Sequence, residues 1–452
     1  MLDYPGTAPV RPLKKNDFGP RAGATYRVAD RTVASAGYGL VWIEMAGITT
    51  PFTTPTFPFL QTVSQRALDT LVPAFVLSNG PSVAPLEPGP LAGLGQGVFA
   101  VDDTLGSGYV QQWNASIQRQ LTSAVTIEAA YVGSIITHVG IPDTNLNQLT
   151  AEQLSTGPSL LARVPNPYFG IIPRSSSLGD PTITVAQLMK PYPQYTTVSR
   201  YRNNVGTTRY RGFEVSVRQR ASHGLSWSAS YTRSRLEDDA SSVFDASILT
   251  GPIANYPVAD SFDRRLERDL STGDIPNVFV ASGVWDLPAG SGRARTLGGV
   301  AGALLNDWTL TGLVTLQSGV PIAVTQTTNF NAFAGFGVQR PNLVGDPELP
   351  SGERTTARWF DVTAFAAAPQ FAIGSSSRNP VRGPAYRSVD AALIRRVPLG
   401  GRPALEVRVE AFNLLNTPPL GAPAAVLGAA NFGTITTAGD PRVIQLAIKL
   451  AF

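Results

Sequence analysis

Val443-Ile-Gln-Leu-Ala-Ile-Lys-Leu-Ala-Phe452, the last ten residues of the chain, alternate without a break between large apolar and small or polar side chains. Successive side chains of a strand point to opposite faces, so Ile444, Leu446, Ile448, Leu450 and Phe452 share one face, and Val443, Gln445, Ala447, Lys449 and Ala451 the other. The first face is wholly apolar. Soluble domains normally fray at their ends, whereas this chain stops on an aromatic residue of its apolar face. The pattern predicts a strand of a transmembrane β-barrel, in which lipid-facing and lumen-facing positions alternate and about ten residues cross the bilayer.

Composition agrees. The chain has 452 residues and no Cys, so disulfides and thiolate metal sites are excluded, and its two histidines, His138 and His223, are far apart in sequence. Charged residues make up only 15% of the chain, lean for a large soluble enzyme. No run approaches the roughly 18 apolar residues of a membrane helix; the richest stretch, 298–305, is cut by Asn306 and Asp307. Entry into a membrane therefore requires a barrel. The net charge of +4 is carried almost entirely by scattered Arg, with Lys only at positions 14, 15, 190 and 449. Nucleic acid is not an expected partner, because its footprint needs a basic stripe and a motif. The N-terminus carries no charged region followed by an apolar one, hence no signal peptide. For an exported barrel the expectation is that the true N-terminus lies upstream.

The alternation recurs as hairpins. Phe213, Val215 and Val217 alternate with Glu214, Ser216, Arg218 and Arg220; after the turn 221–224, Leu225, Trp227, Ala229 and Tyr231 alternate with Ser226, Ser228, Ser230 and Thr232. Trp113, Ala115 and Ile117 alternate with Asn114, Ser116 and Gln118, and Leu405, Val407, Val409 and Ala411 with Glu406, Arg408 and Glu410. The period is that of strands. Eleven are expected, near 19–28, 32–45, 109–120, 125–134, 207–220, 225–234, 276–286, 308–318, 386–396, 404–414 and 442–452.

A soluble sandwich would also alternate, and the connections decide against it. They run short then long: tight turns at 28–31, 121–124 and 221–224, about twenty residues at 287–307 and a turn at 397–403, against long segments at 46–108, 135–206, 235–275, 319–385 and 415–441. Periplasmic turns and extracellular loops of outer-membrane barrels sort in this way. A globular β-domain seldom carries such long connections. Aromatics near strand ends, among them Tyr109, Trp113, Tyr131, Trp227, Tyr231, Trp285, Trp308 and Phe452, fit interfacial girdles.

Asn16-Asp-Phe-Gly-Pro-Arg-Ala-Gly23, Tyr109-Val-Gln-Gln-Trp-Asn114, Ala130-Tyr-Val-Gly-Ser134, Tyr210-Arg-Gly-Phe213, Asp274-Ile-Pro276, Arg382-Gly-Pro384 and Phe412-Asn-Leu-Leu-Asn416 follow one another along nearly the whole chain. In this order and spacing they resemble the barrel of TonB-dependent outer-membrane receptors of the Oar-like group. The resemblance implies an all-β transmembrane antiparallel barrel of about 22 strands, of which residues 1–452 form the C-terminal part. It also implies an internal plug and an N-terminal carboxypeptidase-regulatory-like domain, neither of which is in this sequence. The implied partners are outer-membrane lipid, the barrel-assembly machinery, the upstream plug and strands, and TonB acting through the absent N-terminal region. The terminal strand, with Ile444, Leu446, Ile448, Leu450 and Phe452, resembles the assembly signal of barrel proteins.

Chemistry-bearing motifs are weak. Gly93-Leu-Gly-Gln-Gly97 has no strand before it and no helix after it, so it reads as a flexible loop and not a phosphate cradle. The carboxylates at 237–239 and at Asp260, Asp263, Glu267 and Asp269 read as a solvated loop; a Ca²⁺ site is the alternative. His138 with Asp143 lies near the outer rim and His223 in a short turn, without a nucleophile arranged beside either. No catalytic residue, metal site or cofactor is expected. The expected function is solute capture on the loops and passage through a lumen lined by Glu214, Arg218, Glu406, Arg408, Glu410, Gln445 and Lys449. An adhesive surface protein is the alternative.

Overall fold

The computed structural model describes residues 16–43, 67, 71–80, 93–101, 106–141, 144–201, 203–240, 258–290, 292–400 and 403–451. Among these, eleven long strands follow one another in a single antiparallel sheet: β1 (Arg21–Ala29), β2 (Thr32–Ile43), β3 (Gly108–Gln120), β4 (Val125–Val139), β5 (Gly206–Ser222), β6 (Leu225–Asp238), β7 (Asn277–Asp286), β8 (Trp308–Gln317), β9 (Tyr386–Pro398), β10 (Ala404–Phe412) and β11 (Val443–Ala451). Each pairs with its neighbours in sequence, and the short strand Asp269–Leu270 adds to β6. All eleven expected strands form. β4, β5 and β6 run on beyond the bilayer-crossing length at the long-loop end, where the ladder between β4 and β5 continues to Gly206 opposite Val139.

Register turns the alternation of single strands into two continuous faces. Leu316, Phe279, Tyr231, Val215, Ala129, Ile117, Ala34 and Tyr26 are cross-strand partners in succession from β8 to β1, an unbroken apolar and aromatic row. On the other face, Thr315, Val280, Ser230, Ser216, Glu128 and Gln118 follow one another in the same way. A one-residue slip anywhere would exchange the two faces, so the greasy row itself specifies the register. The apolar face is uncovered: Leu446 and Ile448 of β11 are each 74% exposed. A soluble sheet would bury that face, whereas a membrane wall offers it to hydrocarbon.

The two ends differ. Short turns gather at one end, and one of the two-residue turns there, His223–Gly224, has φ of 54° and 79°, the doubly left-handed geometry of a tight hairpin, which Gly adopts without penalty. A longer connection there, 287–307, carries a short helix, Gly299–Leu305. At the opposite end the long connections pack on one another, and the buried apolar residues are concentrated there. Leu149, Leu154, Leu160, Ala186, Ala334 and Phe336 form one cluster across 140–205 and 318–385. Val324, Phe360, Ala364, Phe365 and Val381 form another, joined by Leu427 and Phe432. A third unites Ile172, Leu178 and Ile183 with Leu94.

That packing corrects the expectation of a flexible loop at 93–97. The Gly95 amide donates to the Gln194 carbonyl at 2.9 Å, the Ser176 hydroxyl donates to the Gly95 carbonyl at 2.7 Å, and Gly97–Val101 pairs in parallel with Thr197–Tyr201. Glycine is required at 95 by the close approach of Ile172 and Ser176, which a Cβ would strike. Contacts from a distant segment order this stretch; its own sequence carries no sign of them. The sheet is open, with β1 and β11 each paired on one side among the described residues and every residue of β1 exposed.

Candidate functional site

Register places every sequence-predicted lumen residue on the polar face. On β10 the Arg408 guanidinium lies between two carboxylates of its own strand, 3.0 Å from Glu406 and 3.2 Å from Glu410, because residues two apart in a strand share a face. Lys449 is the cross-strand partner of Glu406 and Gln445 that of Glu410, with Arg396 facing Glu406 from β9. Five of the seven predicted residues thus meet in one charged patch. Glu214 and Arg218 lie apart from it on β5, Glu214 between Ala130 and Thr232, Arg218 between Thr126 and Ser228. Five strand spacings separate the two groups, roughly 24 Å along the sheet. Ile444, Leu446, Ile448 and Leu450 occupy the opposite, exposed face of β11; Phe452 lies outside the described residues.

The polar face is not uniformly polar. Leu313 breaks the alternation of β8 and faces Asp390 and Ser282, while β7 presents Val278, Val280 and Val284 to the same side. Leu313 and Val284 are exposed there. The polar wall therefore carries an uncovered apolar strip beside its charges.

Above the wall, three arginines of the 318–385 connection reach carboxylates on or beside β6. Arg378 lies 2.6 Å from Asp238, Arg340 2.6 Å from Glu267, and Arg382 2.8 Å from Asp274. Backbone carbonyls take further donors: Arg378 donates to Glu267, Arg340 to Leu266 and Arg382 to Gly319, while the buried Nε of Arg378 has no acceptor among the described residues. Asp274 also accepts from the Leu236 amide of β6 at 2.7 Å, and Asp269 from the Asn379 amide at 2.8 Å. Buried charges persist only when paired and hydrogen-bonded, and these are. The expectation of a solvated acidic loop is corrected accordingly. Asp260 is buried and accepts from Gln148; Asp263 pairs with Arg265, Asp239 with Arg264, and Glu237 with Arg211 and Arg235. Among the described residues no group of three metal-ligating side chains converges. Sequence reading missed the three arginines because each partner is at least 73 positions away. Arg382-Gly-Pro384 and Asp274-Ile-Pro276 stood out as motifs, and the ion pair between them is the reason visible in the fold.

Among the described residues the histidines have the following partners. His138 contacts the Asn204 carbonyl through Nδ1 and packs against Tyr109, which packs on Trp42, an aromatic group at the long-loop end of the wall. Asp143 lies outside the described residues. His223 faces the Ser222 hydroxyl at 3.0 Å in its turn. Lys190 is buried within the loop assembly, and burial lowers its ammonium pKa from 10.5 to about 8. The Arg265 guanidinium holds Asp263 below the usual carboxylate range, and hydrogen bonds from Thr363, with Arg358 nearby, do so for Asp361.

A family model described as "outer membrane beta barrel domain" matches residues 4–445. No curated protein matches the sequence. Among solved structures, the ferripyoverdine receptor of the outer membrane of Pseudomonas aeruginosa is similar at 11% identity and a TM-score of 0.37, over 95% of this chain and 32% of that one. The outer membrane transporter YddB from Escherichia coli is similar at 11% identity and 0.40, over 92% and 38%. The FrpB iron transporter from Neisseria meningitidis is similar at 9% identity and 0.38, over 95% and 38%. The chain spans about a third of the length of these structures.

Proposed function

The chain belongs to the outer-membrane β-barrel family, and from that membership we propose that it forms the C-terminal part of the barrel of a TonB-dependent receptor. In this reading it captures an extracellular solute on its packed loops and passes it along the polar wall when energised. The observation that carries the proposal is the pairing of an uncovered apolar face across eleven strands with an ordered, arginine-latched loop assembly at one end only. A loop assembly with its own core is a rigid platform, and rigid platforms bind with less ordering cost than free loops.

Further strands pair with β1 and β11 to close the wall, bringing the total to about 22. Unpaired backbone groups of those edges would otherwise meet hydrocarbon at several kcal/mol each. The charged patch around Arg408 and the strip of Val284 and Leu313 on the polar face support docking of a plug, since a water-filled lumen gives no reason to expose aliphatic side chains. The test is accumulation of labelled ferric chelates, saccharides and peptides by cells producing the full-length protein, with and without TonB. Uptake of one class, lost without TonB and lost on deletion of 324–378, supports the reading. Surface binding with no uptake in either background favours adhesion.

A further inference from the structure

The helix Gly299–Leu305 contains no polar side chain, yet it stands at the short-turn end of the wall with Val300, Leu304 and Leu305 largely uncovered. A periplasmic turn bathed in water has no use for such a surface, and isolated apolar patches of this kind mark an interaction site. The segment is built and held. The Asn306 side chain donates to the Leu297 carbonyl at 3.0 Å and accepts from the Leu297 amide at 3.3 Å, clamping the two ends of the helix together. Gly302 is required because a Cβ there would strike the Leu297 carbonyl.

The position of the helix identifies what covers it. Trp308, the first residue of β8, donates its indole N–H to the Leu304 carbonyl at 2.8 Å, so the helix is tied to the end of the wall. Trp308 lies on the apolar face, in register with Arg395, Val407 and Ile448 of the next three strands, so the helix is anchored on a residue of the lipid-facing row. Arg395 is the charged member of that row. Its guanidinium lies over the Trp308 ring, 5.8 Å from the centroid, and its buried Nε has no acceptor. Among the described residues Arg395 forms no ion pair. A cation stacked on an interfacial tryptophan, with apolar surface on one side and water on the other, matches an anionic lipid headgroup at the glycerol level of a bilayer.

We propose that the helix Gly299–Leu305 seats in the headgroup region of the leaflet at the short-turn end, the periplasmic leaflet, and that Arg395 binds the phosphate of an anionic phospholipid there. Apolar side chains then lie at the headgroup and acyl boundary, as in interfacial helices, while Arg395 and the exposed Arg295 of the same connection supply the charge complement. The site fixes the depth and tilt of the barrel at that leaflet.

The chain lacks Cys, so single cysteines carry a probe without background. Val300→Cys, Leu304→Cys, Leu310→Cys on the wall and Ser123→Cys in a short turn are labelled with an environment-sensitive fluorophore. The full-length protein is reconstituted in phosphatidylcholine vesicles with and without phosphatidylglycerol, and quenching by brominated lipid is read. Probes at 300, 304 and 310 should be quenched and blue-shifted and that at 123 should not. Arg395→Gln should reduce quenching at 300 about threefold in the anionic vesicles only, with Arg395→Lys restoring part of it. Quenching at 310 with none at 300 overturns the inference and leaves the wall intact. Absence of quenching at 310 overturns both, and quenching at 300 indifferent to lipid charge and to Arg395→Gln overturns the headgroup site.

Discussion

The Arg378 guanidinium and the Asp238 carboxylate meet at 2.6 Å across 140 positions of sequence, both almost fully buried, and join the longest ordered loop to the outer end of β6. Removing one partner leaves the other charged and dehydrated, which costs more than a surface pair could return. Arg378→Met should destabilise the loop assembly by about 3–5 kcal/mol, while the double variant Asp238→Leu with Arg378→Met regains most of it. Proteinase K applied to intact cells should cleave the single variant within 258–276 or 319–385, with the barrel still resisting detergent at room temperature. Equal protease resistance of single variant and parent would remove the latch from the account.

Face assignment on β11 makes a second prediction. Leu446→Arg or Ile448→Asp places charge against lipid; near mid-membrane the cost is about 2–4 kcal/mol for Arg and less for Asp. Both should lower the amount of membrane-inserted full-length protein. Gln445→Asn, on the face shared with Glu410, should leave insertion unchanged. Quantification in outer-membrane fractions checks this; equal loss from both faces would refute the parity.

Eleven strands were legible because period-two alternation is a local property that each hairpin repeats, and the strands of β5 and β6 carry it almost without error. Leu313 was not legible as an inward residue, since an apolar side chain at a polar position carries no mark of its partner. Of the candidate site, the Glu406, Arg408 and Glu410 group could be read from spacing alone, and its pairing follows from the same parity. The loop assembly could not. Arg340, Arg378 and Arg382 lie in irregular sequence and find their carboxylates through topology, and Gly95 is ordered by Ile172 and Ser176 from a different connection.

Lys190 contributes a pH response to that assembly in the alkaline range. Its pKa falls from 10.5 to about 8 on burial, so between these values the unfolded loop binds more protons than the folded one. Stability therefore rises as pH increases from about 8 to 10.5, and below about 8 the full penalty stands, on the order of 3 kcal/mol. Lys190→Met should stabilise the loops at neutral pH and abolish the rise. Protease resistance of the loops at pH 7 and 9.5 checks both; a parent more labile at the higher pH would contradict the assignment.

Sorting of the connections predicts sidedness. In intact cells making the full-length protein, a membrane-impermeant maleimide too large for porins should label Ser175→Cys and Glu353→Cys, which are exposed on the long-loop side. Ser123→Cys and His223→Cys should label only after the outer membrane is opened. Mixed labelling within either group would break the two-ended arrangement.

As a membrane wall, the sheet has lipid on its apolar face and a polar interior on the other. Spin labels placed one at a time from Val443 to Ala451 in the full-length protein, reconstituted in lipid vesicles, test this arrangement most directly through relative accessibility to oxygen and to a water-soluble nickel chelate. Oxygen accessibility should peak at 444, 446, 448 and 450 and nickel accessibility at 445, 447 and 449, a strict period of two. A flat profile, or the opposite phase, would contradict the account.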